Sequence, residues 1–143
     1  AHQRLFAMLE GSGSDLPSDW PLPVPCAIYY AGPCPPAPGE IIGPCGPTTS
    51  ARMDVYTPAM IAAGATALLG KGPRSPAVLD AIRGRAVYFA VTGGAGMLIS
   101  NSIKKVHMAA FPELGTEAIR CLYIEDMPAI VACDSAGGNL YAR

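Results

Sequence analysis

The stretch Gly46-Pro47-Thr48-Thr49-Ser50-Ala51-Arg52-Met53-Asp54 runs on through Thr57-Pro58 and Ala65-Thr66-Ala67-Leu68-Leu69 to Gly70-Lys71-Gly72. Its second half predicts a unit of architecture. Thr57 can cap free helix amides, Pro58 suits the first helical position and Gly64 supplies the stop. Ala65 to Leu69 then returns as a strand, which places Gly70-Lys71-Gly72 at that strand's carboxyl end. The first half carries the chemistry. Three hydroxyls precede an arginine and Lys71 sits between two glycines, so amides, O–H groups and two kinds of cation can converge on one small anion such as a carboxylate. The same residues also suit a plain helix cap, with Lys71 and Arg74 as solvated loop charges, and this stretch alone leaves both readings open.

Outward from it, strands and short helices alternate. Cys26 to Ala31 reads as a strand, Cys34 to Gly39 as a rigid proline loop, and Glu40-Ile41-Ile42-Gly43 as a short strand entering the motif. Ser75-Pro76 repeats the helix-start signal, and Ala77 to Arg83 runs as a helix until Gly84. Ala86 to Val91 is the best-formed strand pattern in the chain, and Gly96 to Lys105 is helix-like. Thr116 to Ile119 reads as a helical turn, Ile119 to Ile124 and Ala129 to Cys133 as strands, and Asp134 to Asn139 as a turn. At the other end, Leu5, Phe6, Met8 and Leu9 suit a helix over His2 to Glu10, ended by Gly11-Ser12-Gly13-Ser14. This alternation predicts an α/β fold with a mixed or parallel sheet covered by helices, and ligands at the carboxyl ends of strands.

Composition bounds the rest. A chain of 143 residues that is 50% hydrophobic has the size and the core of one domain, spanning residues 1–143. Only 15% of residues are charged and the net charge is -1, which gives no electrostatic footprint for nucleic acid or an anionic membrane. The longest apolar run, Ala59 to Leu69, is too short and glycine-broken for a span of about 20 residues. With no basic-then-apolar leader after Ala1, a soluble, cytoplasmic protein is expected. Gly 16 and Pro 15 are high, but Trp20, Ile28, Tyr29, Tyr30, Ile41 and Ile42 lie within the proline-rich part and predict packed loops rather than disorder.

Several chemistries fall away on spacing. Cys26, Cys34, Cys45, Cys121 and Cys133 lack C-x-x-C pairs and read as reduced thiols that hold no metal, with Cys121 and Cys133 expected to be buried on strands. His107 reads as a surface or strand-edge residue and joins no metal-ligand pattern. Thr92-Gly93-Gly94-Ala95-Gly96 resembles a phosphate cradle in outline but lacks the G-x-G-x-x-G order, and a tight turn is the better reading. Glu125-Asp126 is a turn rather than an acid pair, and no G-x-S-x-G elbow is present.

Taken together, the string Gly46 to Asp54, Gly70-Lys71-Gly72, Ala86-Val87-Tyr88-Phe89 with Gly93-Gly94-Ala95, Ser102-Ile103-Lys104, Glu113-Leu114-Gly115 and Ile124-Glu125-Asp126-Met127-Pro128-Ala129 closely resembles the β subunit, or C-terminal domain, of class I iron–sulfur fumarases and L-tartrate dehydratases. The resemblance implies a swivelling β/β/α domain with short covering helices. It implies a hydro-lyase that dehydrates a 2-hydroxy dicarboxylate, malate to fumarate or tartrate to oxaloacetate. Activity would need an α subunit or N-terminal domain whose cysteines carry the [4Fe–4S] cluster, in a dimer or higher oligomer.

By the same resemblance Thr48 is the proton-transfer residue, Arg52 and Lys71 bind carboxylates, and Thr49 and Ser50 are secondary donors. Ala1-His2-Gln3-Arg4 resembles the tail of the family's R-D-x-A-H-x-R motif and adds His2 to the substrate-binding set; the leading Arg-Asp is missing. Threonine is a poor base alone, and the acid that assists Thr48 is sought in the α subunit, Asp54 being the one candidate in the motif. The competing class is a non-catalytic anion-binding or assembly module on the same fold.

Overall fold

Ser75 and Pro76 start the helix they announce. In a computed structural model, which describes residues 1–13 and 15–142, Ser75 Oγ accepts from the Val78 amide and Pro76 opens a helix over Pro76–Ile82. Its Val78 and Ile82, one turn apart, are fully buried. In chain order the elements are α1 (His2–Glu10), β1 (Cys26–Tyr29), a 3₁₀ turn (Ser50–Met53), α2 (Thr57–Ala62), β2 (Ala65–Gly70), α3 (Pro76–Ile82) and β3 (Val87–Ala90). There follow α4 (Gly96–Ser100), β4 (Ile103–Ala110), a second 3₁₀ segment (Pro112–Glu117), β5 (Ile119–Ile124) and β6 (Ile130–Cys133).

The main sheet has the order β1-β2-β3-β6. β1, β2 and β3 are parallel, with Ile28 opposite Leu68 and Leu68 opposite Tyr88, and β6 joins antiparallel with Cys133 opposite Tyr88. The sheet is therefore mixed and the fold is α/β with short helices. Leu5 of α1, Met60 and Ile61 of α2, and Val78 and Ile82 of α3 meet Leu68 and Tyr88 in one buried cluster. Transfer of such side chains from water, at about 1.5–3 kcal/mol each, is the main force holding the helices on the sheet. β4 and β5 form a separate antiparallel pair, joined to the motif loop by a second cluster of Ile42, Cys45 and Ile103. Among the described residues, no helix is long and apolar enough to cross a membrane.

Five expectations give way. Glu40 to Gly43 forms bends, not a strand: the Glu40 carboxylate accepts from the Ala37 amide, and Gly43 presses on the carbonyls of Cys34 and Pro35, where a Cβ would come within 2.5 Å. The chain there folds back on the proline loop. The helix from Gly96 stops at Ser100, because Ile103 onward pairs with β5, Ile103 opposite Ile124. Thr57 is the first residue of α2 rather than its cap, and its hydroxyl donates to the Met53 carbonyl. Cys121 is exposed on the two-stranded sheet, whereas Cys133, opposite Tyr88, is buried. The helical turn expected at Thr116 to Ile119 lies earlier, over Pro112–Glu117. Helix α1 ends at Glu10 with Gly11 following; Ser14, the last residue of the expected stop, lies outside the described residues.

Candidate functional site

Three loops leave the carboxyl ends of β1, β2 and β3 and are laced together by backbone bonds. The Thr48 amide donates to the Tyr30 carbonyl just past β1, at 2.8 Å, and the Ser50 amide donates to the Lys71 carbonyl just past β2, at 3.0 Å. The Val91 amide past β3 donates back to the Gly70 carbonyl at 2.8 Å. Thr49 and Lys71 face each other as an isolated parallel bridge. Gly70 packs tightly beneath these loops: a Cβ there would collide with Ser50 Oγ, so the close approach requires glycine. The Thr92–Gly96 turn is also spent on packing, since the Cys45 amide donates to the Gly96 carbonyl and Gly96 lies against Gly46.

On this frame the expected residues divide. Thr48 is half-buried, and its Oγ1 donates to the Tyr30 carbonyl at 3.0 Å. The hydroxyl proton is thus directed onto the backbone, leaving the oxygen lone pairs to face outward. Thr49 and Arg52 are exposed beside it, and among the described residues the Arg52 guanidinium has no hydrogen-bond or ion-pair partner. Lys71 is exposed and likewise unpaired, and its side chain runs across Gly93. Ser50 departs from the expectation of a ligand donor. It is fully buried, and its Oγ lies 3.0 Å from the Tyr88 hydroxyl. That phenol also reaches the Gly72 carbonyl at 2.9 Å. A carbonyl can only accept, so the phenol's one proton goes there and Ser50 donates to the phenol oxygen.

His2 packs its ring 5.5 Å from that of Tyr30 and 6.4 Å from that of Tyr56. Its Nε2 is enclosed without a partner among the described residues. Burial, reinforced by Arg74, pushes its pKa down to about 4, so the imidazole is neutral at pH 7. Arg4, two residues on in α1, pairs with Glu113 and lies over the Phe111 ring, which ties the N-terminal helix to the segment between β4 and β5.

Arg74 is the residue that the sequence concealed. Instead of a solvated loop charge it is a buried cation, its guanidinium 5.0 Å from the Tyr30 ring centre and 4.9 Å from that of Tyr88. Its Nε donates to Asp54 Oδ1 at 2.8 Å and its Nη2 to Thr57 Oγ1 at 2.8 Å. Burial works against the charge, but Tyr30 and Asp54 outweigh it and hold the pKa above the usual arginine range. Asp54 spends its other oxygen on the Ser75 amide, at 2.6 Å. The one acid of the motif is therefore committed to Arg74 and is not available to assist Thr48.

His2, Thr48, Thr49 and Arg52 line a single open cleft of about 810 Å³, whose far wall is the β4–β5 pair with His107 and Arg120. Ser50 and Lys71 are not among its lining residues. Arg120 is held by the carbonyls of Gly115, Thr116 and Ala118. His107, read from the sequence as a surface or strand-edge residue, is exposed on β4 and faces this cleft. Among the described residues, no three His, Cys, Asp or Glu side chains are grouped to hold a metal ion. The cysteines are dispersed: Cys34 and Cys121 are exposed, Cys26 is half-buried, and Cys45 is buried with its thiol pushed up to about 11 chiefly by that burial. Such a donor set does not fit an iron–sulfur cluster.

The family model for the fumarase C-terminus matches residues 1–143. The chain is 37% identical over 146 residues to fumarate hydratase 2 of Leishmania major, an alignment covering all of this chain and 25% of that protein. It is 36% identical over 149 residues to the anaerobic class I fumarate hydratase of Escherichia coli, covering all of this chain and 26% of that protein. To the "Putative L(+)-tartrate dehydratase subunit beta" of Methanocaldococcus jannaschii it is 36% identical over 148 residues, covering 99% of this chain and 74% of that subunit. The chain thus spans about a quarter of the length of the two fumarate hydratases.

Proposed function

The chain belongs to the fumarase C-terminus family, and from that premise we propose that it is the β part of a hydro-lyase acting on a 2-hydroxy dicarboxylate. The observation that carries the reading is the cleft edge where Thr48, its proton directed onto Tyr30, stands four residues from Arg52, which is unpaired among the described residues. Eliminating water across a dicarboxylate requires that its carboxylates be fixed and that a weakly acidic C–H lose its proton. Arg52 can fork onto one carboxylate, and Lys71, from the neighbouring loop, supplies a second cation. Thr49 adds an exposed hydroxyl and His2 a neutral imidazole in the same cleft. Ser50 acts from beneath by fixing the backbone of this turn.

Thr48 cannot take the substrate proton unaided, because an alkoxide lies far out of reach at neutral pH. Asp54 is engaged by Arg74, so the assisting acid belongs to the α subunit or domain. The [4Fe–4S] cluster is placed on that partner as well, since the cysteines here do not fit it. The working enzyme is then a cytoplasmic α–β assembly, dimeric or higher, and it holds a small dicarboxylate where the two parts meet.

The test is an anaerobic assay of the purified chain with and without its α part, on malate, fumarate and tartrate. Turnover is expected only from the reconstituted complex. Turnover by the chain alone, free of metal, would overturn the proposal.

A further inference from the structure

Hydrogen bonds and ring contacts of the buried Arg74 lead to three of the residues placed at the reaction, Thr48, Arg52 and Lys71. Through Nε it holds Asp54, the residue that closes the 3₁₀ turn bearing Arg52. Against one guanidinium face lies Tyr30, whose carbonyl accepts both the amide and the hydroxyl of Thr48. The guanidinium also lies over the ring of Tyr88, whose hydroxyl joins Ser50 to the Gly72 carbonyl and so spans the loop that carries Lys71. Nη2 adds Thr57, at the start of α2. The side chain itself is completely buried and does not line the cleft, so it cannot touch substrate.

We infer that Arg74 is a positioning residue for the proposed reaction, clamping the Thr48–Arg52 turn and the Lys71 loop in one geometry from below. The inference rests on the functional reading of Thr48 given above. A rigid planar fork can satisfy an acid, a hydroxyl and two ring faces at once. A lysine ammonium carries the charge but not that shape, so Arg74→Lys releases part of the clamp without removing the cation that Asp54 needs.

The test is a double-mutant cycle of Arg74→Lys and Thr48→Ala in the α–β complex, with folding of each variant checked by circular dichroism. Arg74→Lys is expected to lower kcat about 100-fold, the scale of loss from slight misplacement of a reacting group. In the Thr48→Ala background the same change should cost under about tenfold, because residues that act as a unit are non-additive. Ile82→Val, a core change remote from the site, should lower Tm and leave kcat per folded molecule unaltered. Tyr88→Phe keeps the stacked ring and deletes the hydroxyl, and should lower kcat by about tenfold, so the inference stays testable if Arg74→Lys does not fold.

Parental kcat in Arg74→Lys beside an impaired Thr48→Ala would overturn this inference alone. So would losses that multiply in the double variant, or, if Arg74→Lys does not fold, a Tyr88→Phe complex with parental kcat. Parental kcat in Thr48→Ala would instead overturn the site reading on which the inference rests.

Discussion

Thr48 is fastened to Tyr30 twice, its amide donating to the Tyr30 carbonyl at 2.8 Å and its Oγ1 donating to the same oxygen at 3.0 Å. The pair fixes the rotamer of a hydroxyl and, with it, the direction of the remaining lone pairs. Thr48→Ala should therefore keep the loop, since the amide bond remains, and lose the proton-transfer group. The expected result in the α–β complex is a fall in kcat of about 10²–10⁴-fold with KM little changed. Thr48→Ser retains the hydroxyl and should recover most of the rate. Steady-state kinetics on both variants decide the matter, and an unimpaired Thr48→Ala would reduce the turn to a structural cap.

Arg52 differs from Thr48 in having no side-chain partner among the described residues. Exposed and unpaired among the described residues, it contributes little to the fold, so its replacement reports on ligand binding rather than on stability. Arg52→Lys keeps the charge and loses the fork. A charge-assisted hydrogen bond is worth about 1.5–3 kcal/mol, so kcat/KM should fall by roughly 10–150-fold, chiefly through KM. Thermal melting should be unchanged. A variant with parental KM would remove Arg52 from the carboxylate site.

What the sequence disclosed and what it withheld follow from how far apart the deciding residues lie. Ser75-Pro76 and Ala65–Gly70 were legible because a cap, a proline and an apolar run act on their own neighbours. The place of Gly70-Lys71-Gly72 at the carboxyl end of its strand followed from that alternation, whereas the Thr48 turn comes after β1 and not after the strand expected at Glu40 to Gly43. β4 was hidden because Leu98, Ile99 and Ile103 suit a helix, and only pairing with β5 decides otherwise. Its concealment also hid His107 as a wall of the cleft. Arg74 and Asp54 are twenty positions apart, and neither carries a local mark of the other. Ser50 stood beside Thr48 and Thr49 as an equal donor, and only the packing of Gly70 and Tyr88 turns it inward.

The buried pair of Arg74 and Asp54 should show in stability. The Arg74 side chain has no exposure and that of Asp54 only 10%, so removal of either partner strands a charge that solvent cannot reach. Asp54→Ala is expected to cost about 3–5 kcal/mol. Asp54→Asn keeps an acceptor near Nε and should cost less. Urea unfolding of the two variants against the parent measures both, and an Asp54→Ala protein as stable as the parent would show that the pair does not hold the turn.

His2 gives the fold a specific dependence on pH. Its Nε2 is buried without a partner among the described residues and its ring packs against those of Tyr30 and Tyr56, and its pKa falls from 6.5 to about 4, through burial first and then the charge of Arg74. In the unfolded chain the imidazole titrates near its ordinary value of about 6.5. Between these two values the unfolded state binds the extra proton, so stability falls as the pH falls. The contribution is complete above about pH 6.5 and is lost as the pH drops through about 4, for a total on the order of 3 kcal/mol. Carboxylates in general titrate toward the acid end of the same window, so the parent must be compared with His2→Gln, which lacks only the imidazole. Urea unfolding at about pH 7.5 and about pH 4.5 should show the parent losing some 2–3 kcal/mol more than the variant. NMR titration of the His2 ring should place its midpoint near 4 in the folded chain. Equal losses in the two proteins, with an imidazole midpoint near the ordinary value, would mean that His2 is open to water and can carry charge in the cleft.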